Sequence, residues 1–170
     1  MKIQQNTILV SVVLVCLSAA TVWYYKDNSG LFLYKKYHTD LYKYFGVTRS
    51  GSSGQENQIQ LILEKAVSSA DYERAIEELL VENERNPEND VIQYYLGLFD
   101  EELGHDWQAI QYFQNLRFNS DLYGTTALRR ISMLFIKHKE WIKAQLMLTE
   151  LYQLGDDQDR NWVKEIAQKI

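Results

Sequence analysis

One proline and one cysteine in 170 residues exclude a good deal at the outset. Proline this scarce removes the commonest helix breaker, so long apolar-periodic stretches lean helical. The lone Cys16 cannot form an internal disulfide or a cysteine-based metal site, and it leaves the redox compartment undecided. A net charge of −5 argues against a general nucleic-acid binder, which would need a cluster of Lys and Arg to neutralise phosphates. There is also no glycine-rich phosphate loop. What is present, 46% hydrophobic and 24% charged residues with 12 Tyr and 4 Trp, is the composition of a folded protein. The length suits one modest domain plus accessory segments.

After a short tail over 1–6, residues 7–25 read TILVSVVLVCLSAATVWYY, without a charge. As a helix this run is about 28 Å long, enough to cross a hydrocarbon core of roughly 30 Å. Trp23, Tyr24 and Tyr25, followed by Lys26, have the character of an interfacial aromatic belt with a basic anchor. The reading is a single-pass transmembrane anchor. Its rival is a signal peptide cleaved near Ser18-Ala19-Ala20. Val15 before Cys16 does not suit a lipidation site. Counting Lys26, Lys35, Lys36 and Lys43 against Lys2 would put the carboxy-terminal side in the cytoplasm. The commoner bacterial signal-anchor arrangement exports it, and a periplasmic domain is the orientation expected here.

Residues 26–55 form an aromatic juxtamembrane segment and a linker. In LFLYKKYHTDLYKYFGV, residues 31–47, Leu31, Tyr34, Leu41, Tyr44 and Phe45 alternate with lysines. Such spacing suits an irregular amphipathic helix on a bilayer surface, or aromatics packed on the first helix pair of the following domain. His38 has no partner at ligand spacing. RSGSSGQEN, residues 49–57, is a flexible Gly/Ser linker.

Beyond it the chain repeats. ADYERAIEELL begins at Ala70, GHDWQAIQYFQ at Gly104 and KEWIKAQLMLT at Lys139. Ala75, Ala109 and Ala144 recur at intervals of 34 and 35 residues, each with an aromatic shortly before it (Tyr72, Trp107, Trp141) and a bulky apolar residue four after (Leu79, Phe113, Leu148). Ile62, Leu96 and Ile131 stand thirteen residues before the alanines, followed by Leu63, Gly97 and Ser132. This period marks stacked helix pairs. Ala109 is expected to face Gly97, the aromatics to fill the turns, and Gly104 to supply a left-handed C-cap. Asp71 and Asp106 are expected as N-caps, and Pro87 as a helix stop.

The sequence resembles the tetratricopeptide repeat, most closely over YYLGLFDEELGHDWQAIQYF. In the flanking units Leu63 and Ser132 replace the first glycine, and Ala70 and Lys139 replace the second. The resemblance implies an all-α solenoid of three helix-turn-helix repeats, 56–89, 90–124 and 125–156, behind the transmembrane helix. A capping helix over 157–170 would cover the last unit with Trp162, Ile166 and Ile170 on one face. The layout is similar to single-span tetratricopeptide proteins of Gram-negative bacteria. Some of those carry an anti-sigma-like region before the span, whereas six residues precede Thr7 here.

His105 and Asp106 invite a catalytic reading, but neighbouring side chains at a helix–turn junction point apart. His105 is read as an exposed turn residue. His138 sits in the matching turn of the next unit, and a metal between the two turns is the sharper but less favoured alternative. Asp100, Glu101 and Glu102 fan around a helix rather than converge. The chain is read as a non-enzyme, with no catalytic, cofactor-binding or metal residues. A solenoid's asset is the concave groove lined by the first helix of each unit. Projected onto it are Gln60, Glu64, Tyr94, Tyr95, Leu98, Glu101, Arg129, Arg130, Met133 and Lys137. Two tyrosines beside two arginines suit a peptide-binding patch. Glu101 opposite Arg130 or Lys137 equally suits a salt bridge between units, worth little if exposed. Gln60, Glu64 and Tyr95 do not supply the family's clamp for carboxy-terminal carboxylates.

The expected function is a membrane-anchored interaction scaffold holding a protein or peptide partner in a cell-envelope complex. An envelope signalling protein and a chaperone-like accessory capturing extended segments are the alternatives. With the domain exported, protease added to cells with a permeabilised outer membrane digests it. Protection until the inner membrane is lysed would place it in the cytoplasm.

Overall fold

The computed structural model describes residues 18, 21, 28–37 and 54–170, and the regular structure among them is all-helical. The span expected over 7–25 lies outside the described residues but for Ser18 and Thr21, as do His38, Leu41, Tyr44 and Phe45. Among the described residues no helix is long and apolar enough to cross a membrane. Residues 28–37 form α1. There follow α2 (Gly54–Ser69), α3 (Tyr72–Arg85), α4 (Asp90–Glu102), α5 (Asp106–Asn119), α6 (Gly124–Lys137), α7 (Trp141–Leu154) and α8 (Asp157–Ala167). From α2 onward each helix packs chiefly on its neighbours in the chain. The short turns of α2–α3, α4–α5 and α6–α7 force antiparallel pairs.

The turns of these pairs share one backbone device. Gly104 has φ +80°, and its counterparts Ala70 and Lys139 take φ 54° and 58°. After α4 the amide of Gly104 donates to the Glu101 carbonyl and that of His105 to Asp100. After α6 Lys139 donates to Ile136 and Glu140 to Phe135 in the same pattern. These are Schellman closures, which need a left-handed residue after the helix. Ala70 closes α2 with the single bond to Ala66. Starts are capped by side chains where one is in reach. Asp71 accepts from the Arg74 amide, Asn89 from Val91 and Ile92, and Asp156 from Asp159. Pro87 follows α3 and its C-cap Asn86.

The repeat positions make the core. Leu79, Leu96, Phe113, Ile131, Ala109, Ala144 and Leu148 are buried, with Ile62, Leu63 and Ala75 completing the first pair. Gly97 faces Phe113 rather than Ala109: a Cβ there would lie 2.8 Å from the Phe113 ring. The aromatic takes the space one helical turn along from the alanine. The turn aromatics diverge. Tyr72 stacks on Phe99 at 5.2 Å, but Trp107 is 51% exposed and lies flat on His138 at 5.0 Å. Asp106 opens α5 without capping it; its carboxylate is buried against Lys137 and His138 of the next turn. In α8 the buried side is Asp159, Val163 and Ile166, with Trp162 partly covered, while Ile170 lies past the helix and is exposed.

A Cβ on Gly104 would meet nothing within 4 Å, so alanine there feels only the backbone. Gly104→Ala should destabilise the chain by about 1 kcal/mol, and Lys139→Gly should stabilise it by a similar amount. Urea unfolding midpoints check both, and shifts of the same sign would refute the shared device.

Candidate functional site

A helix that packs only on its chain neighbours keeps one stripe in solvent. α4 has no such stripe, since every residue from Ile92 to Glu101 is buried. α6 is buried from Ala127 to Ile136 except at Arg129. Part of the cover is α1, which lies across the face shared by α4, α6 and α8. Gly30, Leu33, Tyr34 and Tyr37 recur at i, i+3, i+4 and i+7 and are all buried, while Phe32, Lys35 and Lys36 point outward. Gly30 lets the two backbones meet: a Cβ there would collide with the Ile136 carbonyl oxygen at the end of α6.

Two tyrosines of α1 are held in matching ways. The Tyr34 hydroxyl donates to Glu101 Oε1 at 2.9 Å, and Lys137 Nζ stands 4.7 Å over its ring. The Tyr37 hydroxyl donates to Glu165 Oε1 at 2.5 Å, with Lys169 Nζ 5.2 Å from its ring centre and bonded to its oxygen. Trp162 meets Tyr37 edge-on at 6.4 Å. Each socket pairs a carboxylate that accepts from the hydroxyl with a lysine, which stands over the ring at Tyr34 and bonds the hydroxyl oxygen at Tyr37. Leu33, Tyr34 and Tyr37 are the buried hydrophobic side chains of α1, and the hydroxyl–carboxylate bonds add direction to their hold.

The floor of the first socket is ionic and dry. Arg130 Nη1 donates to Glu101 Oε2 at 2.9 Å, and both side chains are essentially inaccessible. Burial pulls the Arg130 pKa down, but Glu101, with Tyr94 and Tyr34, outweighs it and the guanidinium is held charged. Burial, then the charge of Glu101, pushes the Tyr34 hydroxyl well above the usual phenol range, so it remains a donor. At the second socket the hydrogen bond from Tyr37, then that from Lys169, draws the Glu165 pKa below its ordinary value.

Of the residues projected onto one surface, Glu101, Arg130 and Lys137 come together around Tyr34, and Leu98 and Met133 lie in the same apolar cluster as Leu33. Tyr94 reaches Arg130 as well, and the others separate. Tyr94 stacks on Tyr123 at 4.7 Å and abuts Phe113, and Tyr95 packs on Phe99, so neither offers an open aromatic patch. Arg129 pairs with Asp159 and lies over Trp162. Gln60 and Glu64 bond each other at 2.9 Å on α2. The Glu101–Arg130 bridge is buried, not an exposed rim pair. Tyr34 and Tyr37 of α1 do pack on the following helices, but across α4, α6 and α8 rather than on the first pair. Gly30, Leu33, Tyr37, Glu165 and Lys169 are additions to the expected set. The spacing of the first three with Tyr34 was the available signal.

His105 and Asp106 serve separate neighbours. His105 Nδ1 is 3.1 Å from Asp100 Oδ1, whereas Asp106 Oδ2 is 2.7 Å from His138 Nε2. Burial raises the Asp100 pKa against the opposing pull of His105. Among the described residues no group of three or more His, Cys, Asp or Glu could hold a metal ion.

Arg130→Met strands the Glu101 charge in a dry site and should cost about 3–5 kcal/mol, whereas Glu101→Leu with Arg130→Met should cost clearly less. Urea unfolding of the full chain in detergent reads both; equal losses would mean that the pair is not desolvated. In comparisons with protein-family models, curated proteins and solved structures, nothing significantly matches this chain.

Proposed function

We propose that this chain is a non-enzymatic interaction scaffold: a tetratricopeptide-type solenoid of three helix pairs and a capping helix, tethered to a membrane by residues 7–25. Three left-handed turn residues, Ala70, Gly104 and Lys139, fall 34 and 35 residues apart and support the solenoid reading. Its concave groove holds a protein or peptide partner within a cell-envelope complex. The observation that carries this reading is the seating of α1. The face of α4, α6 and α8 already accepts a helical segment, through named hydroxyl and ring contacts rather than apolar area alone. Polar groups that fix orientation are what a recognition surface needs and what an ordinary core lacks.

A photo-crosslinking amino acid tests where a partner sits without disturbing the fold. Placed at Glu64, exposed on the first helix of the first pair, it should capture one stoichiometric protein from membranes. Placed at Ile142, 78% exposed on the second helix of the last pair, it should not. Capture at Ile142 alone would overturn the concave reading, and a broad ladder of products at Glu64 would favour a chaperone.

A further inference from the structure

We propose that residues 28–37 are a resident, displaceable ligand of the groove, and that the groove's partner is a helix presenting the same chemistry. That chemistry is a small residue at i and tyrosines at i+4 and i+7, as in Gly30, Tyr34 and Tyr37. The proposal rests on the reading of this face as the recognition surface, and it adds what the surface selects and what occupies it first.

Three observations carry it. First, the contacts are of a kind that recognises a ligand. Each tyrosine is read at two points, its hydroxyl by a carboxylate and a second point by a lysine, over the ring at Tyr34 and on the hydroxyl oxygen at Tyr37. Gly30 adds a third point, at which any side chain would strike the Ile136 carbonyl. Second, the helix pairs close without α1. Their repeat positions, such as Leu96, Phe113 and Ile131, are buried in contacts between chain neighbours. Removing α1 uncovers charged groups that water can solvate, with part of the apolar cluster that Leu33 joins. Third, the described contacts that seat α1 lie along one face, Gly30, Leu33, Tyr34 and Tyr37, so its release leaves the contacts between the helix pairs in place. An incoming helix competes with this single layer of contacts, and local release of this kind lies below the free energy of global unfolding.

The test uses the full chain in nanodiscs and, as probe, a fluorescent peptide copying residues 26–40. In one variant Gly30→Val and Tyr37→Asp undock α1, the first by collision and the second by facing Glu165 with a like charge. The peptide should bind this opened chain at least tenfold more tightly than the unaltered one, while the helical signal of both is the same. A peptide with phenylalanine in place of both tyrosines should lose roughly tenfold of that affinity or more. In the unaltered chain, amides of 30–37 should exchange hydrogen much faster than those of α4 and α6. Exchange of 30–37 only at the rate of global unfolding, or a peptide that ignores the opened chain, overturns the proposal. If the partner crosslinks at Glu64 yet the peptide ignores the opened chain, the scaffold stands and the resident ligand falls. If the peptide binds the opened chain but the partner crosslinks only at Ile142, the sockets stand and the recognition surface for the partner lies elsewhere.

Discussion

Glu101 carries a charge out of reach of bulk solvent, and three helices are arranged around its two oxygens. It belongs to α4, one oxygen takes the Arg130 guanidinium of α6, and the other takes the Tyr34 hydroxyl of α1. A carboxylate stripped of water is tolerated only when its lone pairs are met. The register between the second and third pairs is therefore narrow. A slip of α6 by one turn, about 5.4 Å, would part the ions and strand two charges. Apolar contacts between α4 and α6 would survive such a slip far better, because leucine and isoleucine tolerate a shift that an ion pair does not. The pair contributes little net stability of its own, but it makes one alignment much better than its neighbours.

The repeat was legible because small and bulky residues recur at fixed distances, and those distances are set by the length of a helix pair. It stayed legible where glycine is missing from the turn, since Ala70 and Lys139 take the left-handed conformation against their own preference. The surrounding helices impose that geometry more strongly than one residue resists it. Side-chain assignments failed where a tertiary partner outbid a local one. Asp106 stands where caps stand, yet Lys137 and His138 from the next turn reach it first, and Lys137 offers charge. Trp107 has the right place for a turn filler, but His138 gives its face a flat partner at the surface.

The site was less legible, for a different physical reason. Projecting a repeat pattern tells which helix stripe points inward, and Glu101, Arg130 and Lys137 do share a stripe with Leu98 and Met133. It does not tell what lies on top. Tyr94 was hidden by Tyr123, a loop residue outside the repeat pattern. Tyr34 and Tyr37 meet partners 67 and 128 residues away, and no local periodicity encodes such pairings. The face of Gly30, Leu33, Tyr34 and Tyr37 could have been picked out by spacing alone. Leu41, Tyr44 and Phe45 blurred it, since together they suggested a longer and less regular surface helix.

The two tyrosine sockets do not impose the same selectivity, and the difference follows from burial. Phenylalanine would keep the ring and its apolar contacts at either position, and the lysine over the ring at Tyr34. It would lose the hydroxyl, and at Tyr37 the bond from Lys169 with it. At Tyr34 that loss leaves an oxygen of Glu101 without its donor in a place water does not reach, which is the expensive way to lose a hydrogen bond. At Tyr37 the bonded carboxylate is Glu165, 52% exposed, and water replaces the missing donor at small cost. A segment seated on this face is therefore checked for a hydroxyl at its first tyrosine and only for ring and fit at its second. The deep ion pair that fixes the register of the helices also sets the stricter test for what may lie across them.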